Sequence, residues 1–175
     1  MRGFGLARFA CAGKKFAVKE TSIPTANPIP EPYARGEEKT PFFVRGDVRH
    51  DVTGTSPSWW GPSGIIISTA ADLGKAAKPL ATGALLKEKG KKELLTWTAA
   101  DQSGFEYGLH IEKTNGMIGH DGDVPGYQSG MCYLPDYDAK AVGLSTLYGW
   151  SVRRMPTNTL VKAAVGQCFP KPAGK

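Results

Sequence analysis

Seven prolines fall between residues 21 and 62: Pro24, Pro28, Pro30, Pro32, Pro41, Pro57 and Pro62. Each fixes φ and removes a backbone donor, so this stretch is expected to hold no long helix and no central strand. It reads as an extended segment lying along a surface, held there by Phe42, Phe43, Trp59 and Trp60. Residues 1–20 show no clear period.

Regular structure is expected to begin after that segment. Gly64-Ile65-Ile66-Ile67-Ser68 is a short β-branched run leading into a helix. Thr69 and Asp72 have the spacing of a capping box, with Asp in place of Glu at the positive end of the helix dipole. The helix is expected to reach about Leu80, with a kink or early end before Pro79. A second short helix is expected over residues 91–97. From Phe105 the period becomes that of strands: 105–112, then an Asn115-Gly116 hairpin turn, 117–120, 127–134 and 140–147, with Pro135-Asp136-Tyr137-Asp138 as a further turn. Their short connections make them antiparallel neighbours. Residues 156–168 place Leu160, Val161, Ala164, Val165 and Cys168 on one helical stripe suited to packing on that sheet, and Pro156 fits the first turn.

Composition excludes several classes. At 175 residues the chain suits one domain. Its net charge of +6 is partly gathered in Lys87-Glu88-Lys89-Gly90-Lys91-Lys92. No aromatics interleave with these lysines, so a solvated helix face explains the run and no nucleic-acid partner is expected. Cys11, Cys132 and Cys168 lie far apart without a C-x-x-C pair, which indicates neither a zinc site nor a disulfide framework. Cys132 reads as a small core residue, and Trp59, Trp60, Trp97 and Trp150 as core or cover residues. No apolar run approaches the ~18 residues of a membrane span. Residues 1–13 have a faint export-signal character that Arg8 interrupts, so localisation stays open.

The stretch that carries chemistry is Gly119-His120-Asp121-Gly122-Asp123-Val124-Pro125-Gly126-Tyr127. A histidine there can move a proton or bind an anion, and the glycine lets a ligand backbone come close. The bland alternatives are a strand histidine bonded to a neighbour and turn aspartates bonded to their own backbone. A G-x-S-x-G elbow is absent. His50, His110 and His120 have no metal-ligand spacing, and no metal or other cofactor is expected. Lys113-Thr114-Asn115-Gly116 misses K-T-G by its asparagine. Ser68 and Thr69 read as caps rather than nucleophiles.

Four pieces in order, Pro30–Gly36, Pro57-Ser58, Gly64–Leu73 and Gly119–Gly122 with Pro125-Gly126-Tyr127, resemble the C-terminal half of the serine β-lactamase-like family. That family includes class C β-lactamases, D-alanyl-D-alanine carboxypeptidases and related esterases. The resemblance spans roughly residues 21–150. It implies three site motifs, S-x-x-K, Y-x-N or S-x-N, and K-T-G or H-x-G, of which this sequence contains the third alone: no serine has lysine three residues on, and no tyrosine or serine has asparagine two residues on. Acyl transfer by serine needs a base close enough to take the hydroxyl proton, and S-x-x-K supplies both groups on one helix turn.

By this resemblance His120 would be the catalytic residue, meeting the substrate's negative group or assisting proton transfer. Asp121, Gly122 and Asp123 would bind substrate, with the Asp123 N–H as an oxyanion donor and the strand edge pairing with a peptide-like ligand. The expected fold is α+β, an antiparallel sheet with packed helices, matching the C-terminal part of the β-lactamase/transpeptidase-like fold. The expected organisation is an irregular segment 1–20, a partial domain 21–170 and a tail 171–175. The expected function is that of the C-terminal portion of a serine hydrolase acting on a peptidoglycan-like peptide, a β-lactam or an ester, inactive alone. The alternative is a non-catalytic module that binds a cell-wall peptide or a partner chain, or that self-associates. A gene fragment, a misplaced start and a short protein in its own right all fit the missing motifs.

Overall fold

A computed structural model describes residues 17–24, 29, 31–38, 49–98, 104–148 and 156–169. Expectations placed on Phe42, Phe43, Trp150, Cys11, residues 1–13 and residues 171–175 lie outside them. In chain order the elements are β1 (Glu37–Glu38), β2 (His50–Asp51), a 3-10 segment (Pro57–Ser63), α1 (Ala70–Ala81), α2 (Glu88–Leu94), β3 (Phe105–Tyr107), β4 (Glu112–Thr114), β5 (Met117–Val124), β6 (Tyr127–Leu134), a 3-10 turn (Pro135–Tyr137), β7 (Ala139–Ser145), β8 (Leu147–Tyr148) and α3 (Pro156–Cys168). Five strands form one sheet in the order β3-β4-β5-β6-β7, and three form another in the order β2-β1-β8. This is the expected α+β class. The chain divides into two compact units, Met1–Glu20 with Thr69–His120 and Met131–Val142, and Thr21–Ser68 with Asp121–Gly130 and Gly143–Lys175.

In the first unit, Thr69 caps α1 as its spacing predicts, its hydroxyl accepting from the Asp72 amide at 3.3 Å. The helix passes through Pro79 to Ala81 instead of ending early. Pro79 lies in the last turn and gives the Lys75 carbonyl no i+4 donor, while the Lys78 carbonyl beyond that break accepts from both the Thr82 amide (3.0 Å) and hydroxyl (2.8 Å). α2 starts three residues before its expected position. Glu88 sits in its first turn and Lys91 and Lys92 in its last, which suits the dipole at both ends. The Leu94 carbonyl then accepts from the Leu109 amide at 3.2 Å, which draws the chain away from further helix. Trp97 leaves the helix and packs, with Leu94 and Ile118, on the buried cluster Ala81, Ile111 and Tyr133. Burying a side chain such as Ile111 contributes about 1.5–3 kcal/mol. Cys132 is buried as expected, and burial pushes its thiol up.

The single strand expected over residues 105–112 is two strands. The Gly108 amide donates to the Ile111 carbonyl at 2.8 Å, and His110 takes φ 57°. Any side chain at Gly108 would overlap the Leu94 carbonyl, so the chain turns there against the end of α2. The Asn115-Gly116 turn is found, with φ of 50° and 80°, the two positive values that a type I′ hairpin needs. It sets the β4–β5 register as Thr114↔Met117, Lys113↔Ile118 and Glu112↔Gly119.

In the second unit, β1 is the middle strand of its sheet, antiparallel to β2 with Glu38 opposite His50, and parallel to β8 with Glu37 opposite Leu147. The proline-rich stretch therefore does supply a central strand. It falls in the gap between Pro32 and Pro41, where the backbone keeps its donors. The strand expected over residues 140–147 stops at Ser145, and β8 follows separately. Ser22 and Ile67 form an isolated bridge of two hydrogen bonds, 2.9 and 3.0 Å. The turn between β5 and β6 is tied down by close backbone approach: a side chain on Gly36 would overlap the Tyr127 ring, and one on Gly126 would overlap Val52 and Gly36. The Tyr127 hydroxyl donates to the Ala34 carbonyl at 3.0 Å. Trp59 is 84% exposed and anchors nothing, and the Trp60 side chain lies outside the described residues. α3 covers the residues expected of it, yet its buried stripe is only Val161 and Val165, one turn apart; Leu160, Ala164 and Cys168 are exposed. Among the described residues no helix is long and apolar enough to cross a membrane.

Candidate docking strand

His120, Asp121, Gly122 and Asp123 lie in succession on β5, which is longer than the sequence predicts and ends at Val124. The β4–β5 register ends at Glu112↔Gly119. Among the described residues no other strand is aligned with β5 on that side beyond Gly119. On the other side β6 follows through the two-residue turn Pro125-Gly126, a connection that reverses the chain and makes the pair antiparallel. Gly119 anchors the start of this stretch of β5. A side chain on it would overlap the Met131 carbonyl and the Cys132 backbone, so only glycine lets β5 and β6 approach as they do.

Three strands position His120. Tyr107 on β3 stands opposite Glu112 on β4, and Glu112 stands opposite Gly119 on β5, the residue before the histidine. The Tyr107 hydroxyl lies 3.0 Å from His120 Nε2, and the two rings meet edge to face, 71° apart with centroids 6.0 Å apart. Glu112 Oε1 is 4.0 Å from the same nitrogen, beyond hydrogen-bond reach. The His120 side chain is 38% exposed.

Asp121 and Asp123 share a strand parity and therefore one face. Burial, with the charge of Asp121, pushes the Asp123 carboxyl up from its ordinary value, and the carboxyl also accepts from its own backbone N–H. At Gly122 an added Cβ would meet only Ser129 Oγ, at an ordinary 3.6 Å. A side chain at 122 would therefore make an ordinary contact with Ser129, whereas the glycine at 119 answers a packing need. Glu112 and His120 are metal-ligating residue types, and Asp121 is the next residue in the chain; all are half-exposed, a donor set common on acidic surfaces without an ion.

Sequence reasoning missed Tyr107 and Glu112. Glu112 was findable, because an Asn115-Gly116 type I′ turn fixes the register that sets it opposite Gly119. Tyr107 was hidden by reading residues 105–112 as one strand, which places it far along the same edge instead of on the neighbouring one. Thr69 is the N-cap of α1, as expected; Ser68, the residue before it, instead pairs its Oγ with Thr21 Oγ1 at 2.9 Å.

Known proteins share the family and the fold of this chain. The sequence matches the Beta-lactamase family over residues 14–165. No curated protein matches it. Among solved structures, a D-stereospecific amidohydrolase from Streptomyces sp. is 26% identical, with a TM-score of 0.67 over 77% of this chain and 41% of its own. D-amino acid amidase from Ochrobactrum anthropi SV3, complexed with L-phenylalanine, is 20% identical, with a TM-score of 0.71 over 89% of this chain and 51% of its own. A penicillin binding protein from Bacillus halodurans is 17% identical, with a TM-score of 0.66 over 92% and 48%. The chain spans about half the length of these proteins or less. The four motif pieces, the α+β fold and the family match over most of the sequence lead to one conclusion: the chain belongs to the beta-lactamase family, whose members share a serine-hydrolase fold.

Proposed function

We propose that this chain carries the substrate-docking strand of a serine-hydrolase cleft and binds a D-configured amino acid amide or peptide-like ligand along β5 without acylating itself. The observation that carries the reading is the edge of β5 at residues 120–124, beyond the last β4 partner. An extended ligand can add to such an edge by main-chain hydrogen bonds, with side-chain selection on alternate positions. His120 sits at the start of the edge as a donor for a carbonyl or carboxylate oxygen, and Asp121, Gly122 and Asp123 line its length. Gly122, which carries no side chain, lets a ligand backbone come close. The D-configuration is suggested by relatives described as a D-stereospecific amidohydrolase and a D-amino acid amidase.

Inactivity toward acyl transfer follows from the sequence pattern: no serine is followed by lysine three residues on, so no hydroxyl is paired with a base on one helix turn. A binding module for a cell-wall-type peptide would use the same edge in the same way, and reversible docking is the behaviour both readings share. Incubation with a fluorescent penicillin, followed by denaturing electrophoresis and intact-mass measurement, tests the catalytic half. The expected result is no covalent species. A stable adduct of one penicillin per chain would overturn it.

A further inference from the structure

We infer that Tyr107 is a positioning residue that fixes the ring tautomer of His120, holding the proton on Nδ1 by donating its hydroxyl to Nε2. The inference rests on the docking role given to His120 above. It starts from the 3.0 Å contact and the edge-to-face packing of the two rings, on strands whose register is set through Glu112. A phenol has one proton to give and a weakly accepting oxygen, whereas the bare nitrogen of a neutral imidazole is the stronger acceptor. The hydrogen bond therefore runs from Tyr107 to His120, and which nitrogen carries the proton follows from it. The Glu112 carboxylate stands 4.0 Å from Nε2, so the phenol is the nearer partner. The consequence is one of ligand selection. A neutral ring in this tautomer carries its one N–H on Nδ1, so Nε2 cannot donate to a ligand oxygen.

The test is a long-range 1H–15N correlation spectrum of the full chain labelled at histidine, recorded without ligand at a pH where the ring is neutral. In the wild type His120 is expected to show a protonated Nδ1 and a bare Nε2. In Tyr107→Phe, which keeps the ring contact and removes the hydroxyl, the tautomer ratio is expected to move toward Nε2–H by about fivefold, the ratio one net hydrogen bond supplies. A protonated Nε2 in the wild type overturns the proposal, and so does an unchanged ratio in a folded Tyr107→Phe protein. The wild-type spectrum decides alone if the variant does not fold. A purely structural tyrosine would alter stability without moving the tautomer. Because no ligand is present, failure of the docking reading leaves this result standing, and the reverse holds too.

Discussion

At Asp72 a carboxylate with 1% of its surface exposed accepts from the backbone amides of Lys19 and Glu20, at 2.9 and 2.7 Å, and from Lys75 Nζ at 2.7 Å. It ties an irregular N-terminal stretch to the first turn of α1. Removing it leaves two amides without their acceptor, so Asp72→Ala is expected to lower stability by about 3 kcal/mol in urea denaturation. Its spacing from Thr69 marks Asp72 as a helix-cap partner. Its second task depends on residues more than fifty positions away, beyond any local pattern. Glu38 makes the opposite kind of prediction. It is buried, one of its oxygens has no hydrogen-bond partner among the described residues, and burial raises its pKa despite the nearby His50. A carboxyl raised on folding binds its proton more tightly in the native state, so its contribution to stability is largest below the unfolded value near 4.5 and declines as pH rises above it. Glu38→Gln is therefore expected to gain in melting temperature relative to the wild type as pH goes from 4 to 7. A difference that stays constant with pH would contradict this assignment.

At the scale of elements, β5 is the piece on which the site depends, and Gly119 is what lets it lie where it does. Gly119→Ala sets a methyl group against the Met131 carbonyl, and neither backbone can yield without loss of ladder bonds. A destabilisation of about 3 kcal/mol is expected by denaturant titration, against little change for Gly122→Ala, whose added carbon meets ordinary space. Local chemistry made much of this level legible. The Asn115-Gly116 turn, the Thr69 cap, the span of β6 and the span of α3 follow from turn dihedrals, capping and period. What local chemistry missed was decided by tertiary context: the end of α2 by a Leu109 amide, the break at Gly108 by the Leu94 carbonyl, and the central place of β1 by a β8 partner about 110 residues on. The stripe of α3 was overread because a 3.6 period marks which residues share a face, not how much of that face is covered.

For the whole molecule, the four ordered motif pieces were enough to indicate the family, because each keeps a fold-specific geometry: a cap, a tight turn, a strand with glycines at set places. They could not reveal the Tyr107–Glu112–His120 row, since it is assembled from strand register and not from spacing. The central claim is that the edge of β5 docks a D-configured amide or peptide. Its most direct test is an amide-resolved NMR titration of the full chain with D-phenylalanine amide, with the L enantiomer as comparison. The account predicts that the D form shifts the amides of residues 120–124 saturably and more strongly than the L form. No shift along β5, or equal shifts with both enantiomers, would contradict it.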